Sequence, residues 1–244
     1  MKKIIIVTEG QTEQILTRNV LSNLFDLSKI SFHCFKLLSG KLEKGRYHDP
    51  PKPMIFFQII NIQNDTKVLS YIKENEKRFF EAGFELIIGL RDMYSEEYEK
   101  HNHSINYDTI NEIKNRYKDS ISKMENSSDI IVYFAIMEIE AWFLAMYKIF
   151  EKFNSILTYE YIFNKLKLDM KNINPEAIYK PSVVVEKIFS LISKKYNKSC
   201  SNIEALTKYI SYEDLILGTS KNRCNHLDYF FQKLLSFNMP LIRN

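Results

Sequence analysis

The sequence predicts an α/β protein: a three-layer sandwich on a mostly parallel central sheet, followed by a helical C-terminal part. Three observations predict it. Short runs of branched aliphatic residues alternate with segments whose apolar residues recur every three or four positions, as when strands buried on both faces alternate with amphipathic helices. The runs at 4–7, 84–90 and 129–135 each lead into carboxylates. Beyond residue 150 the strand-like runs stop, so residues 1–150 are expected to form the sheet domain and 151–244 a helical subdomain packed on it.

Taken in order, Ile4 to Val7 reads as a strand ending at Thr8-Glu9-Gly10, and Ile15, Leu16, Val20, Leu21 and Leu24 place a helix over 12–26. Residues 30–38 read as a second strand. Residues 39–53 hold Gly40, Gly45, three prolines and the cations Lys41, Lys44, Arg46 and Lys52. They read as a loop, either a solvated surface segment or a mobile basic flap that contacts phosphates. A strand over 54–62 and a helix over 66–82 follow, with Gly83 closing the helix. After the strand at 84–90, residues 96–104 read as a polar connection in which His101 and His103 are either solvated or a pair that could hold a metal, the solvated loop being the more ordinary case. A helix over 105–125 precedes the strand at 129–135. Helices are then expected over 156–168, 181–196, 202–210 and 225–236, and Trp142 is expected to pack in the core.

Composition excludes several classes. The chain has 244 residues, 45% hydrophobic and 26% charged, an ordinary globular balance. No apolar run approaches the roughly 18 residues of a membrane span, and the N-terminal run is too short for a signal peptide, so a cytoplasmic protein is expected. Cys34, Cys200 and Cys224 are odd in number and far apart, which favours neither a disulfide framework nor a zinc site. There is no phosphate-cradling G-x-x-x-x-G-K-[ST], no G-x-G-x-x-G and no G-x-S-x-G. The net charge of +4 permits a nucleic-acid partner without requiring one.

What remains is acidic. Glu9 and Glu13 follow the first strand, Asp92 the run at 84–90, and Glu138 and Glu140 the run at 129–135. A carboxylate past one strand end is ordinarily a helix cap or a surface charge. Three adjacent strand ends would crowd several together, and such a group repels itself unless a cation neutralises it. A hard divalent ion, Mg²⁺ or Mn²⁺, suits oxygen donors of this kind. The chemistry it supports best is phosphoryl transfer or phosphodiester hydrolysis, on nucleic acid or a small phosphate compound. Lys41, Lys44, Arg46 and Arg91 are the candidate phosphate contacts, although Arg91 could equally pair with its neighbour Asp92.

The motifs also carry a resemblance. I-I-V-T-E-G-Q-T-E ending at Glu13 resembles the first signature of Toprim domains, the metal-binding fold of topoisomerases, primases and overcoming-lysogenization-defect nucleases. With G-L-R-D-M-Y-S at 89–95 and M-E-I-E-A-W-F-L-A at 137–145, the chain resembles a Toprim-like bacterial family catalogued as domain of unknown function 4276. The segments around Asn174-Pro175-Glu176-Ala177, Lys180-Pro181-Ser182 and the closing C-N-H-L-D-Y-F-F-Q-K-L are similar to its later blocks, so the likeness spans nearly the whole chain. It implies a Toprim-like three-layer fold and a Mg²⁺-dependent nuclease, often in defence against phage or mobile DNA. Glu9 then matches the Toprim glutamate and Asp92 a metal-binding aspartate, with Glu140 as a further ligand and Glu13 and Glu138 completing the site. Tyr94 stands where the family pattern has a second aspartate, and Met146 where it has another. These departures leave open a catalytically impaired module that binds nucleic acid or a partner ATPase without cutting.

Overall fold

The computed structural model describes residues 1–64, 67–220, 223–237 and 240. Thr66, the expected start of the second helix, and the end of the chain past residue 240 lie outside them. At the centre is β1 (Lys2–Thr8), whose residues alternate between the two faces of the sheet. Ile4 and Ile6 enter the larger apolar cluster, Ile5 and Val7 the cluster on the other face, and all four are fully buried. α1 (Gln11–Leu24) lies on the first face and buries Ile15, Leu16, Val20 and Leu21.

β2 (Ile30–Leu38) falls where the sequence places it, but the expected loop after it is a strand, β3 (Lys41–His48), antiparallel to β2. Ser39 and Gly40, with φ of 47° and 78°, form the two-residue connection. Positive φ at both positions belongs to a type I′ hairpin turn. β3 tolerates its lysines, arginine and glycine because it is an edge strand open to solvent. β4 (Ile55–Asn61) pairs parallel with both β1 and β2. α2 (Val68–Glu81) covers the second face with Val68, Ile72 and Phe79. Gly83 closes it as expected, at φ 82°, while Phe84 N–H reaches back to Phe79 C=O at 3.1 Å.

β5 (Leu86–Asp92) is buried throughout. The expected polar connection after it forms a short helix, α3 (Glu96–His101), whose first turn donates Tyr98 N–H to Ser95 Oγ at 3.3 Å. The fully buried Tyr98 ring anchors it, a signal the polar residues around it obscure. α4 (Tyr107–Ile121) and β6 (Ile130–Ala135) complete the sheet, ordered β3-β2-β4-β1-β5-β6 and parallel except for β3.

Among the described residues seven α-helices follow: α5 (Glu140–Ala145), α6 (Lys148–Phe153), α7 (Tyr159–Leu166), α8 (Pro181–Ser190), α9 (Cys200–Thr207), α10 (Tyr212–Thr219) and α11 (Asn225–Leu235). α6 and α10 are additions to the sequence reading. α6 has six residues, too few turns to declare a period. Ile149, Ile162, Val185, Leu206 and Phe231 from this part share one apolar cluster with Ile4 and Ile6 of β1. Trp142 is fully buried, its ring 5.6 Å from that of Phe230. Among the described residues no helix is long and apolar enough to cross a membrane.

Candidate functional site

The parallel pairing of β1, β5 and β6 brings their carboxyl ends side by side. Open α/β sheets present their ligand crevice at such an edge. Each carboxylate there reaches across to the next element. Glu9 Oε2 accepts the Asp92 N–H at 3.0 Å, and Asp92 Oδ1 accepts the Ile139 N–H at 2.8 Å. Glu138 accepts the Ser182 N–H and hydroxyl, both at 2.9 Å, and Glu140 accepts the Tyr196 hydroxyl at 2.6 Å. All five predicted acidic residues are thus gathered in one corner.

Local geometry explains how. Gly10 precedes α1, and the Glu13 carboxylate folds back to accept its N–H at 2.9 Å. A Cβ at Gly10 would lie 3.0 Å from Glu13 Oε2, so a side chain there would push the carboxylate off that N–H. At the end of β6, Met137 has φ of 61° and Glu138 N–H bonds to Ile136 C=O at 3.0 Å. This is a three-residue γ-turn of the strained hand, held by the Tyr94 N–H on Met137 C=O at 2.6 Å. It reverses the chain so that Glu138 and Glu140 both face inward.

The corner is over-supplied with negative charge. Glu13, Asp92, Glu138 and Glu140 are all less than a tenth exposed. Their main counter-charge is Lys198, whose ammonium lies 2.9 Å from Glu138 Oε1 and 3.1 Å from Glu140 Oε2. Apart from that ion pair, Glu140 Oε2 is buried without a hydrogen bond. Burial, followed by the charges of Glu13, Glu9 and Glu140, pushes the Asp92 carboxyl well above the usual range. Burial chiefly, with Glu140 adding to it, raises Glu13 to about 7. Glu140 is raised by burial and by Glu138. Burial disfavours the Lys198 ammonium, but Glu140, Asp92 and Glu138 outweigh it and hold that group above its ordinary value.

Among the described residues no group of three or more His, Cys, Asp or Glu side chains is arranged to hold a metal ion. The chemistry of the donor set still fits a hard divalent cation. The donors are carboxylate oxygens, their charge exceeds the local cations, and one buried oxygen lacks a hydrogen bond. His101 and His103 are both exposed.

The basic candidates separate into two groups. Arg91 is buried: Nε donates to Asp92 C=O at 2.9 Å, Nη1 to the Tyr117 hydroxyl at 2.5 Å, and the guanidinium lies 3.8 Å from Glu9. Its contacts are internal, and they position the strand end. Lys41, Lys44 and Arg46 stand on β3, three strands away from β1 in the sheet order. Arg46 pairs with Glu204 at 3.0 Å and lines a cleft of about 370 Å³ together with Gln11, Gln14, Arg18 and Cys200. The cleft meets the corner at Gln11, whose amide donates to Lys198 C=O at 2.6 Å.

Lys198, Tyr196 and Ser182 are the participants sequence reasoning misses. Lys198 follows Lys194 and Lys195 in a polar stretch with nothing to distinguish it. Its partners stand 58 and 60 positions earlier in the chain, and only folding unites them.

No curated protein and no solved structure matches the chain. The family model described as Domain of unknown function (DUF4276) matches residues 8–235, from the last residue of β1 to that of α11, and the chain belongs to that family.

Proposed function

We propose that this protein is a divalent-metal-dependent phosphodiesterase, a nuclease acting on DNA or RNA at the acidic corner. One observation carries the reading: four carboxylates from the ends of neighbouring elements are buried around a single ammonium. A fold spends stability to bury uncompensated charge, and sites that do so are candidates for function. Glu9, Asp92 and Glu140 are the residues that would hold Mg²⁺ or Mn²⁺. Such an ion, when bound, polarises a phosphate and lowers the pKa of water. Glu13, kept on the Gly10 N–H, is placed to hold or release a proton near neutral pH. Glu138 and Lys198 fix the α5 side of the corner, and the exposed lysines of β3 are the cations that would guide a phosphate backbone toward it. The Toprim resemblance of the E-G-Q-T-E and L-R-D segments supports the same reading and, with it, a role in defence against phage or mobile DNA.

A specific observation favours a second reading. Tyr94, in place of the expected aspartate, packs its ring 5.9 Å from that of Tyr179, with the Lys180 ammonium over its face. It is built into an aromatic cluster and supplies no carboxylate, and Lys198 already serves as a resident cation. On that reading the chain binds nucleic acid, or a partner ATPase, without cutting. Incubating plasmid, single-stranded DNA and RNA with Mg²⁺ or Mn²⁺ separates the two. The nuclease reading expects cleavage by the wild type and none by Asp92→Asn or Glu140→Gln. Cleavage that survives both substitutions sinks the assignment to this corner, and binding without cleavage of any substrate favours the module.

A further inference from the structure

The sheet has two edges, and only one is protected. β3 carries charge along its length and a register irregularity where it meets β2, between His33 and Phe35. Charges and bulges are how edge strands avoid pairing with other chains. β6, at the opposite edge, reads I-I-V-Y-F-A and pairs with β5 without irregularity. Among the described residues no strand lies beyond it, and no backbone–backbone hydrogen bond joins its outer edge over 131–134.

That edge forms the floor of a groove of about 880 Å³ between α4 and α11, which pack on opposite faces of the sheet. Val132 and Tyr133 line the floor, Tyr117 one wall and Tyr229 the other. Among the described residues no aspartate or glutamate lines it, whereas Lys114 and Lys118 stand on the α4 wall. Lys114 is half-buried, its ammonium 2.6 Å from His226 Nε2, and His226 Nδ1 is held 3.0 Å from Glu176. With Nδ1–H donating to Glu176, Nε2 accepts one N–H of Lys114 and leaves two. Among the described residues Lys114 has no ion-pair partner. Burial pushes its pKa down, so this cation gains from an anion placed in the groove.

We propose that the β6 groove docks an extended segment of a partner protein, added as a seventh strand, with apolar side chains on the tyrosine walls and an acidic residue at Lys114. Strand addition suits an unpaired apolar edge because the backbone bonds supply affinity and the alternate side chains supply specificity. A second copy of this chain fits less well. Two β6 edges paired about a two-fold axis would set α4 beside α4 and bring the lysines of both copies together.

The test is selection of phage-displayed random linear peptides on the folded wild-type protein, against the double variant Lys114→Glu, Lys118→Glu as counter-target. Lys118 is exposed and Lys114 half-buried on the groove wall, and an unchanged melting temperature verifies the variant. Enriched sequences should alternate apolar and polar residues and carry a glutamate or aspartate. Replacing that acid with lysine should weaken binding roughly tenfold, and N-methylation of alternate backbone amides should abolish it. No enrichment over the double variant overturns the proposal, and so does binding indifferent to N-methylation. A wild-type dimer in sedimentation velocity that the selected peptides dissociate would make the groove a self-association face and equally overturn it. Displacement of the peptides by oligothymidylate, lost in Lys114→Glu, would assign the groove to single-stranded nucleic acid instead.

Discussion

Two buried carboxylate sites in this molecule are built on opposite principles. Asp214, fully buried at the start of α10, sets one oxygen against the Lys152 ammonium at 2.5 Å and against the Ser211 N–H and hydroxyl at 2.7 and 2.9 Å. One negative charge there meets one positive charge and closes a helix cap. The acidic corner sets Glu13, Asp92, Glu138 and Glu140 around Lys198, with Glu9 and Arg91 at its edge. The first arrangement balances its charge, although its other oxygen, Oδ1, is buried without a hydrogen bond. The second is unbalanced: burial first, and then the charge of ionised neighbours, raises Glu13, Asp92 and Glu140. Removing the carboxylate should therefore have unequal consequences at the two sites.

The largest divergence is expected for Asp92→Asn. On the nuclease reading it lowers kcat/KM by roughly 10³-fold, about 4 kcal/mol of transition-state stabilisation. The metal-free variant should melt no lower than the wild type at pH 8, because one repelling charge has gone while the amide oxygen can still accept the Ile139 N–H. Paired turnover and calorimetry measure both. A large drop in melting temperature would place Asp92 with Asp214 as a structural group. The reverse is expected for Asp214→Ala. It removes a cap and the partner of Lys152, at a cost of about 3 kcal/mol in denaturant unfolding, and leaves activity per folded molecule unchanged.

The comparison also marks what the sequence can disclose. Ile4 to Val7 announces a central strand because burial on both faces demands an unbroken apolar run. The positions of Glu9, Asp92 and Glu138 follow from chain order once the strands are parallel. Lys198 and Tyr196 are illegible because they enter the corner only when the polar segment after α8 packs beside α5. β3 hides for another reason: an edge strand needs no apolar alternation, so its only signature is the Ser39-Gly40 turn. Likewise, Tyr98 alone distinguishes α3 from a solvated connection.

A third, smaller effect concerns pH. Glu13 is raised from 4.5 to about 7, so the folded chain holds its proton more tightly than the unfolded chain does. Its stability contribution is complete below pH 4.5, declines as pH rises toward 7, and is absent above that. The decline is on the order of 2–3 kcal/mol in the metal-free protein. Glu13→Gln, which can still accept the Gly10 N–H, should flatten it and be the more stable form at pH 8. Mg²⁺ should flatten it in the wild type by the same logic of compensation. Identical pH slopes for wild type and Glu13→Gln would mean that the corner is balanced after all.

The smallest effect expected lies on β3, where charge is exposed and partly answered. Arg46 already faces Glu204, which Arg18 also holds, so little of its charge is left for a phosphate. Lys41 is exposed, and Lys44 rests over the Tyr47 ring with its ammonium 4.3 Å from the ring centre. Neither lysine is part of an ion pair among the described residues. If nucleic acid crosses this strand on its way to the corner, Lys41→Ala and Lys44→Ala should each weaken binding by about two- to fivefold. Each should also reduce the slope of log affinity against log salt by roughly one. Arg46→Ala should do less than either, because Glu204 is left without one of its partners while little free positive charge is lost. Fluorescence polarisation over a salt series reads all three. If Arg46→Ala weakens binding most, nucleic acid must displace Glu204 and enter the cleft beside Gln11, and the route to the acidic corner runs through the cleft rather than over the edge of the sheet.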